Sequence, residues 1–241
     1  MRGRGRRERP PTGSAARRAI GPPAANPDAC QLAAGEALFG RPWQFVRGVP
    51  ALEVLPEADR PEIAFAGRSN VGKSSLINAL VRQRGLARIS HSPGRTQELN
   101  YYASPGVALF LVDMPGYGFA RAPISLVASW TALVNDYLRG RPSLVRVLLL
   151  IDARHGLKEA DRVIMALMDG AGVAYQAILT KADKITGSAL PAVLEATRAA
   201  LSEHPAAGQG VRPTSAHSGL GIAELRAEIA GLAVGHGASL T

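Results

Sequence analysis

The sequence has little of several features that whole classes of protein need. Cys30 is the only cysteine among the 241 residues, so neither an internal disulfide nor a metal site built from several cysteines can form. Apolar runs such as Val107–Val112 and Leu148–Ile151 each end at an aspartate, far short of the roughly 18–20 residues of a membrane span. Residues 1–20 contain no apolar stretch typical of a secretory signal. These absences exclude a disulfide-stabilised domain and a membrane-spanning protein, and the chain is expected to be cytoplasmic.

The positive charge of the chain is concentrated near its first residues. The net charge is +9, and residues 1–28 hold seven arginines against Glu8 and Asp28, which accounts for +5 of that total. The rest of the chain is mildly basic, which is compatible with an acidic partner such as nucleic acid. Because residues 1–30 are rich in Arg, Gly, Pro and Ala, we expect a disordered basic extension. Two other interpretations stay open, namely an organelle transit peptide and a start codon assigned too early.

Strand-like and helix-like segments alternate from Pro61 onward. The predicted strands are Glu62–Ala66, Leu99–Ala103, Val107–Val112, Val145–Ile151, Val173–Leu179 and Val211–Thr214. The predicted helices are Lys73–Arg82, Leu126–Leu138, Lys158–Met168, Ser188–Ser202 and Ile222–Leu232. This alternation predicts an α/β fold with a mostly parallel sheet and helices on both faces. We expect one domain over residues 60–233. A connecting segment over residues 31–59, with an edge strand at Trp43–Val46, precedes it, and a tail over residues 234–241 follows it.

A glycine-rich turn lies between the first predicted strand and the first predicted helix of this domain. Its sequence fits the pattern G-x-x-x-x-G-K-[ST], in which backbone N–H groups and the start of a helix surround phosphate. The residues expected to bind phosphate here are Gly67, Arg68, Ser69, Asn70, Val71, Gly72, Lys73 and Ser74. Lys73 is expected to reach the β- and γ-phosphates, and the Ser74 hydroxyl to ligate Mg²⁺. A chance turn is a poor alternative, because the chain has only four lysines. The motif predicts the three-layer sandwich of a P-loop NTPase.

A second turn, Asp113-Met114-Pro115-Gly116, directly follows an apolar strand. An aspartate at a strand end beside a phosphate loop can hold Mg²⁺ through a water molecule, and a glycine N–H can bind the γ-phosphate. The pattern D-x-x-G alone also fits many simple turns, but its place after a buried strand favours a role at the phosphates. We therefore assign all four residues to the phosphate-binding surface, with Asp113 also as a water-mediated Mg²⁺ ligand.

Two further motifs, Thr180-Lys181-Ala182-Asp183 and Thr214-Ser215-Ala216, predict a guanine-binding pocket. The carboxylate of Asp183 can accept both N–H donors on one edge of guanine, whereas adenine would leave it unpaired. The Lys181 stem can pack on the base, and the Ala216 N–H can donate to guanine O6. All of these motifs follow predicted strands, so we expect them at the carboxyl edge of the sheet, where ligands bind in open α/β folds.

Four stretches of the chain resemble a known family. They are Pro61–Ala79, Ser92–Gln97, Asp113–Ala120 and Leu179–Lys184. Through them the chain is similar to the translation-factor-related P-loop GTPases of the TrmE-Era-EngA-EngB-Septin-like class, and within these to the EngB-type ribosome-biogenesis GTPases. The similarity covers about residues 43–233, so the basic extension lies outside it. The resemblance implies that residues 60–233 form a GTP-binding domain that uses Mg²⁺ and hydrolyses GTP to GDP.

The resemblance also implies roles for residues in two switch loops. In the first, Thr96 would ligate Mg²⁺ directly, and four residues would contact phosphate: Gly94, Arg95, Thr96 and Gln97. The second switch would span residues 114–124. For Arg95 and for Arg121 of the second switch, the alternative to a phosphate contact is a position that faces solvent or a partner. The implied catalytic residues are Lys73, Thr96 and Gly116. Asn70 matches a position that helps to hold K⁺ in related GTPases, although it also fits a simple capping role.

Tyr117 departs from the pattern of small signalling GTPases. Those proteins place a glutamine after D-x-x-G, and that glutamine orients the attacking water. A tyrosine cannot orient water in the same way, so we expect slow intrinsic hydrolysis that is accelerated by K⁺ or by a large partner.

The cellular role implied by the resemblance is assembly of the large ribosomal subunit, through rRNA and protein contacts of a monomer. With it comes an association with cell division and septation. An alternative is a septation or cell-cycle interaction protein whose bound nucleotide sets its shape without a direct ribosome role. A P-loop ATPase or kinase is a third hypothesis, and Asp183 argues against it.

Overall fold

The computed structural model describes residues 26–88, 98–118, 124–208 and 210–236, with the backbone only for residues 124–130. Within these residues a seven-stranded sheet has the order β1-β3-β4-β2-β5-β6-β7. The strands are β1 (Gln44–Val49), β2 (Glu62–Gly67), β3 (Leu99–Ala103), β4 (Phe110–Asp113), β5 (Leu144–Asp152), β6 (Tyr175–Thr180) and β7 (Arg212–Pro213). The helices are α1 (Ala29–Phe39), α2 (Lys73–Leu80), α3 (Ile124–Gly140), α4 (Glu159–Ala171), α5 (Leu190–Leu201) and α6 (Ile222–Gly235).

Most strands run parallel, which confirms the expected sheet. β2 lies between β4 and β5 and pairs with both in parallel, and the pairs β5–β6 and β6–β7 are also parallel. The antiparallel pairs β1–β3 and β3–β4 lie toward one edge. β4 begins at Phe110 rather than at Val107, because the Val107 N–H donates to the Ser104 carbonyl at 3.1 Å in the turn after β3.

Apolar cores form on both faces of the sheet. Successive side chains of a strand point to opposite faces, and in β2 Ala64 and Ala66 join one core while Ile63 and Phe65 join the other. The first core contains buried residues of α3 and α4, and the second contains buried residues of α1, α2 and α6. Because both faces are covered, the three-layer sandwich predicted from the sequence is confirmed.

Helix α1 extends the folded body beyond the domain expected from the sequence. Asp28 and Gln31 form a capping box at its start, in which the Gln31 N–H donates to Asp28 Oδ1 at 2.8 Å. α1 packs so closely on α6 that a Cβ on Gly35 would lie 2.5 Å from the Ala227 nitrogen. The sequence pattern does not indicate this helix, because small and apolar residues surround nearly its whole circumference. α1 spans the expected boundary between the extension (1–30) and the connecting segment (31–59).

The outer elements differ in detail from their predicted bounds. An edge strand is present, but it spans Gln44–Val49 rather than Trp43–Val46, and the Trp43 ring instead stacks on Phe39 with centroids 5.5 Å apart. α6 continues to Gly235, so the first residues of the expected tail over 234–241 are helical. Among the residues with described structure, no helix is long and apolar enough to cross a membrane.

Candidate functional site

Residues 67–74 form a tight loop between the end of β2 and the first turn of α2. Asn70 and Gly72 have positive φ angles of 62° and 106°, which turn the backbone sharply. Gly67 has no room for a side chain, since a Cβ there would lie 2.8 Å from Cγ1 of Val71. The Leu76 N–H donates to the Gly72 carbonyl at 2.9 Å and begins the helix. The N–H groups before it have no partner within the helix, which is the arrangement that binds phosphate.

Lys73 and Asp113 meet at the centre of the site. Lys73 begins α2, Asp113 ends β4, and their side chains form a largely buried ion pair. Ser74 follows Lys73 in the first turn of the helix. A hydroxyl and a carboxylate fit Mg²⁺, which prefers oxygen ligands and takes few from the protein when phosphates and waters supply the rest. Nowhere in residues 26–88, 98–118, 124–208 and 210–236 does a cluster of three or more His, Cys, Asp or Glu residues offer another metal site.

The turn after β4 is joined to the phosphate loop by main-chain hydrogen bonds. The Tyr117 N–H donates to the Gly67 carbonyl at 3.3 Å, and the Ser69 N–H donates to the Tyr117 carbonyl at 3.0 Å. Gly116 lies against Ser69, where a Cβ would be 2.9 Å from the Ser69 hydroxyl oxygen and 3.3 Å from the nitrogen. A side chain at position 116 would require the Ser69 hydroxyl to rotate away and the loop backbone to move slightly. The D-x-x-G turn is thus held directly beside residues 67–74.

The side chain of Tyr117 points into the core. Its hydroxyl donates to Asp161 Oδ1 of α4 at 2.8 Å. Burial raises the pKa of Tyr117 well above its usual value, and the neighbouring Asp161 carboxylate raises it further. Arg68, which we expected at the phosphates, places its guanidinium nitrogen Nε 3.4 Å from Asp161 Oδ2. Any phosphate contact of Arg68 in this arrangement would therefore come from its backbone.

The first base motif supports the phosphate loop from the side of β6. The Thr180 hydroxyl donates to the Val71 carbonyl at 2.7 Å. Lys181 has a positive φ of 56°, and its Nζ donates to the Asn70 carbonyl at 2.6 Å. The Lys181 stem also lies close to Gly72, where a Cβ would be 3.5 Å from Lys181 Cε. The sequence-predicted phosphate and base residues are therefore in direct contact.

Asp152, the last residue of β5, belongs to this site although no motif reveals it. Its carboxylate lies 2.9 Å from Lys181 Nζ and accepts side-chain hydrogen bonds from Arg154 at 2.9 and 2.7 Å. Burial acts to raise the pKa of Asp152, but the hydrogen bonds from Arg154 and Lys181 outweigh it and hold the pKa well below its usual value. The sheet register creates the contact, because Asp152 lies opposite Thr180. The signal in the sequence is the aspartate that ends the apolar run Leu148–Ile151.

The carboxylate of Asp183 is oriented by Ser215. The Ser215 hydroxyl donates to Asp183 Oδ1 at 2.6 Å and accepts from the N–H groups of His217 and Ser218 at 3.2 and 3.0 Å. The hydrogen bond from Ser215 is the main cause that lowers the pKa of Asp183. Ser215 is fully buried, whereas Asp183 lines the cleft. The second base motif therefore supports the first through a side chain, a contact that sequence spacing does not show.

A cleft of about 730 Å³ connects the phosphate loop with the base motifs. Its walls include Gly72 on the loop and Lys181, Asp183 and Ala216 on the base side, and residues 82–85, the rim segment, also line it. This volume lies within the range of small-molecule sites. The cleft therefore brings Gly72 of the phosphate loop together with residues of both base motifs, whereas residues 113–116 do not line it.

The predictions for the first switch fall outside the described residues. They concern Gly94, Arg95, Thr96 and Gln97. The part of the second switch over residues 119–123, which includes Arg121, also lies outside the described ranges.

Sequence comparison finds similarity to GTP-binding proteins. Residues 62–181 match a family model described as 50S ribosome-binding GTPase. The probable GTP-binding protein EngB of Bradyrhizobium diazoefficiens is 56% identical over 206 residues, which cover 85% of this chain and 95% of that protein. The probable GTP-binding protein EngB of Sinorhizobium medicae is 55% identical over 201 residues, which cover 80% of this chain and 93% of that protein.

Comparison with solved structures finds the same fold. The crystal structure of a probable GTP-binding protein engB has a TM-score of 0.53 at 22% identity, and the match covers 72% of this chain and 99% of that one. The crystal structure of Era in complex with MgGDPNP and nucleotides 1506–1542 of 16S ribosomal RNA has a TM-score of 0.58 at 24% identity. That match covers 73% of this chain and 57% of the Era chain. At such low identity the likeness shows the fold alone.

Proposed function

The chain belongs to the EngB family of GTP-binding proteins, and on this premise we propose that it is a GTPase switch in the assembly of the large ribosomal subunit. The observation that carries the nucleotide part of the proposal is the direct contact between motifs that are far apart in sequence. Lys181 donates to the carbonyl of Asn70, and Thr180 donates to that of Val71. One nucleotide in the cleft would touch both the phosphate loop and the base motifs.

The proposed roles of individual residues follow their places around the cleft. Phosphate binding is assigned to residues 67–74 and 113–116, and guanine binding to residues 180–183 and 214–216. Ser74, Asp113 through a water, and Thr96 would hold Mg²⁺, which neutralises phosphate charge when bound. Residues 94–97 keep their phosphate role on the strength of the family resemblance.

Catalysis is assigned to Lys73, Gly116 and Thr96. Lys73 begins the helix beside the phosphate loop, where its ammonium can neutralise phosphate charge. Gly116 lies against Ser69 of the loop and can offer its N–H to the γ-phosphate. Tyr117 occupies the position of a water-orienting glutamine, but its hydroxyl is bound to buried Asp161. Intrinsic hydrolysis is therefore slow in this proposal.

The ribosomal partner and the cytoplasmic location rest on the family. The matching model is described as a 50S ribosome-binding GTPase, and the net charge of +9 suits an RNA-rich partner. A role in normal cell division and septation would follow from this activity. The alternative is a septation protein gated by nucleotide that makes no direct contact with the ribosome.

Co-sedimentation with purified large ribosomal subunits tests the proposal. The chain is mixed with subunits in the presence of GDP or a non-hydrolysable GTP analogue, and association is expected in the GTP-like state. Equal sedimentation in both states, or none in either, would refute the ribosomal role. Hydrolysis in K⁺ and in Na⁺ is measured on the same preparation. Equal rates would remove K⁺ from the proposed role of Asn70.

A further inference from the structure

The rim segment of the cleft, residues 82–85, contacts helix α1 and the residues that follow this helix. Arg82 forms an ion pair with Glu36 of α1. The Gln83 carboxamide, oriented so that both of its groups are satisfied, donates to the Trp43 carbonyl at 2.9 Å and accepts from the Trp43 N–H at 3.2 Å. Arg82 has a positive φ of 55°, which a residue with a side chain keeps only when its surroundings hold it there. Contacts from residues 36 and 43 therefore hold one side of the cleft.

Glu36 also contacts the arginine that caps α2. The buried guanidinium of Arg226 in α6 donates to the carbonyls of Leu80 and Ala79 at 2.8 Å each, and to Glu36 Oε1 at 2.9 Å. Carbonyls at the end of a helix lack partners within the helix, so Arg226 supplies a C-terminal cap. α2 has only eight residues, and Lys73 is the first of them. Glu36 thus acts on the cleft rim and, through Arg226, on the helix that begins at the phosphate loop.

We infer that Glu36 is a positioning residue for the bound nucleotide, and that it acts through Arg82. Its two carboxylate oxygens are divided between two arginines, Oε1 to Arg226 and Oε2 to Arg82. Arg82 lines the cleft, whereas Glu36 is not among the lining residues. A rim that is already held before binding loses less conformational freedom when the nucleotide arrives. Loss of the Glu36–Arg82 contact therefore raises the rate of nucleotide release.

The test is the release of a fluorescent GDP derivative from the full chain, chased with excess GDP, in Glu36→Gln, Arg82→Gln and the double variant. Glutamine at position 36 keeps an oxygen acceptor for Arg226 but presents an amide N–H₂ to Arg82, so the rim contact alone is lost. Each single variant is expected to release the nucleotide about two- to fivefold faster, because an ion pair between half-exposed side chains contributes only modestly. The double variant is expected to be no faster than Arg82→Gln.

The control is Glu195→Gln, which removes an exposed carboxylate that lies 3.7 Å from Arg198 on α5. Its release rate is expected to equal that of the wild type. If the contact only stabilises the fold, its loss would lower the melting temperature and leave release from the folded protein unchanged. Release is therefore measured well below the melting temperature of each variant. Release at the wild-type rate in Glu36→Gln would overturn the inference, and so would faster release when Glu36→Gln is added to Arg82→Gln.

Arg82→Gln keeps the test decisive if Glu36→Gln does not fold, because the Arg82 side chain is 56% exposed. Release at the wild-type rate in this variant would show that the rim contact has no effect on the nucleotide. The assay uses nucleotide alone, so its outcome does not depend on the ribosomal partner.

Discussion

Replacing Ser215 with alanine removes the hydroxyl that orients Asp183 in the proposed guanine pocket, together with the acceptor of the His217 and Ser218 N–H groups. The substitution removes a single oxygen from a fully buried residue, and that oxygen lies 2.6 Å from Asp183 Oδ1. Hydrogen bonds to charged groups contribute about 1.5–3 kcal/mol. The lower end applies here because solvent at the cleft screens the Asp183 carboxylate. A loss of about 1.5 kcal/mol corresponds to roughly tenfold weaker binding of GDP.

Equilibrium titration of the fluorescent GDP derivative at neutral pH measures this effect. The matched control is Ser202→Ala, whose hydroxyl donates to the Ala199 carbonyl at 2.7 Å at the exposed end of α5. A Kd for Ser215→Ala within about twofold of the wild type would refute the reasoning, since it would show that the bond does not orient the base-reading carboxylate. The Ser215 bond lowers the pKa of Asp183, so Asp183 in the variant should become protonated at a higher pH. On acidification the variant should therefore lose GDP affinity at a higher pH than the wild type does.

Three further predictions address other residues of the site. Asp183→Asn is expected to shift preference from guanine toward xanthine nucleotides in a competition assay, and an unchanged preference would remove the role assigned to Asp183. In the wild-type protein, ATP is expected to compete poorly with GDP for the site. Tyr117→Phe takes a donor from buried Asp161, so the free energy of unfolding in urea should fall by about 1–3 kcal/mol while hydrolysis stays near the wild-type rate. A large loss of hydrolysis at unchanged stability would contradict this. Because the pKa of Asp152 is lowered in the folded protein, its ion pairs stabilise the fold at pH values above the usual aspartate pKa of 3.8. This contribution is lost as the pH falls toward the folded pKa. In Asp152→Asn the melting temperature should therefore fall less steeply with acidification than in the wild type. An equally steep fall would contradict the stabilising role of these ion pairs.

The phosphate loop could be predicted because its chemistry depends on local backbone geometry. The turn needs glycine at position 67, where a side chain has no room, and glycine at position 72, where φ is 106°. Lys73 opens the helix that the motif requires. The role proposed for Asp183 has a different basis, since the hydrogen-bond pattern of guanine calls for a carboxylate. In each case the requirement lies within a few adjacent residues.

The residues that support the site could not be predicted, because their partners lie far away in the sequence. Asp152 reaches Lys181 only through the register of β5 and β6, and Asp161 reaches Tyr117 across 44 positions. Helix α1 escaped prediction because its sequence lacks an amphipathic pattern, and its close approach to α6 depends on a glycine at position 35. Such contacts are properties of the tertiary structure rather than of local patterns.

The main-chain bonds between residues 67–69 and Tyr117 determine where a spectroscopic label can report on the nucleotide cycle. These bonds form an isolated parallel bridge between Arg68 and Tyr117, beyond the last paired residues of β2 and β4, and the hydrogen bond to Asp161 anchors Tyr117 a second time. A label at position 117 would therefore report on the folded core. Gly118, with a φ of 78°, is the first residue beyond this bridge. A label attached after Gly118 would test whether the proposed second switch differs between the GTP-bound and GDP-bound forms.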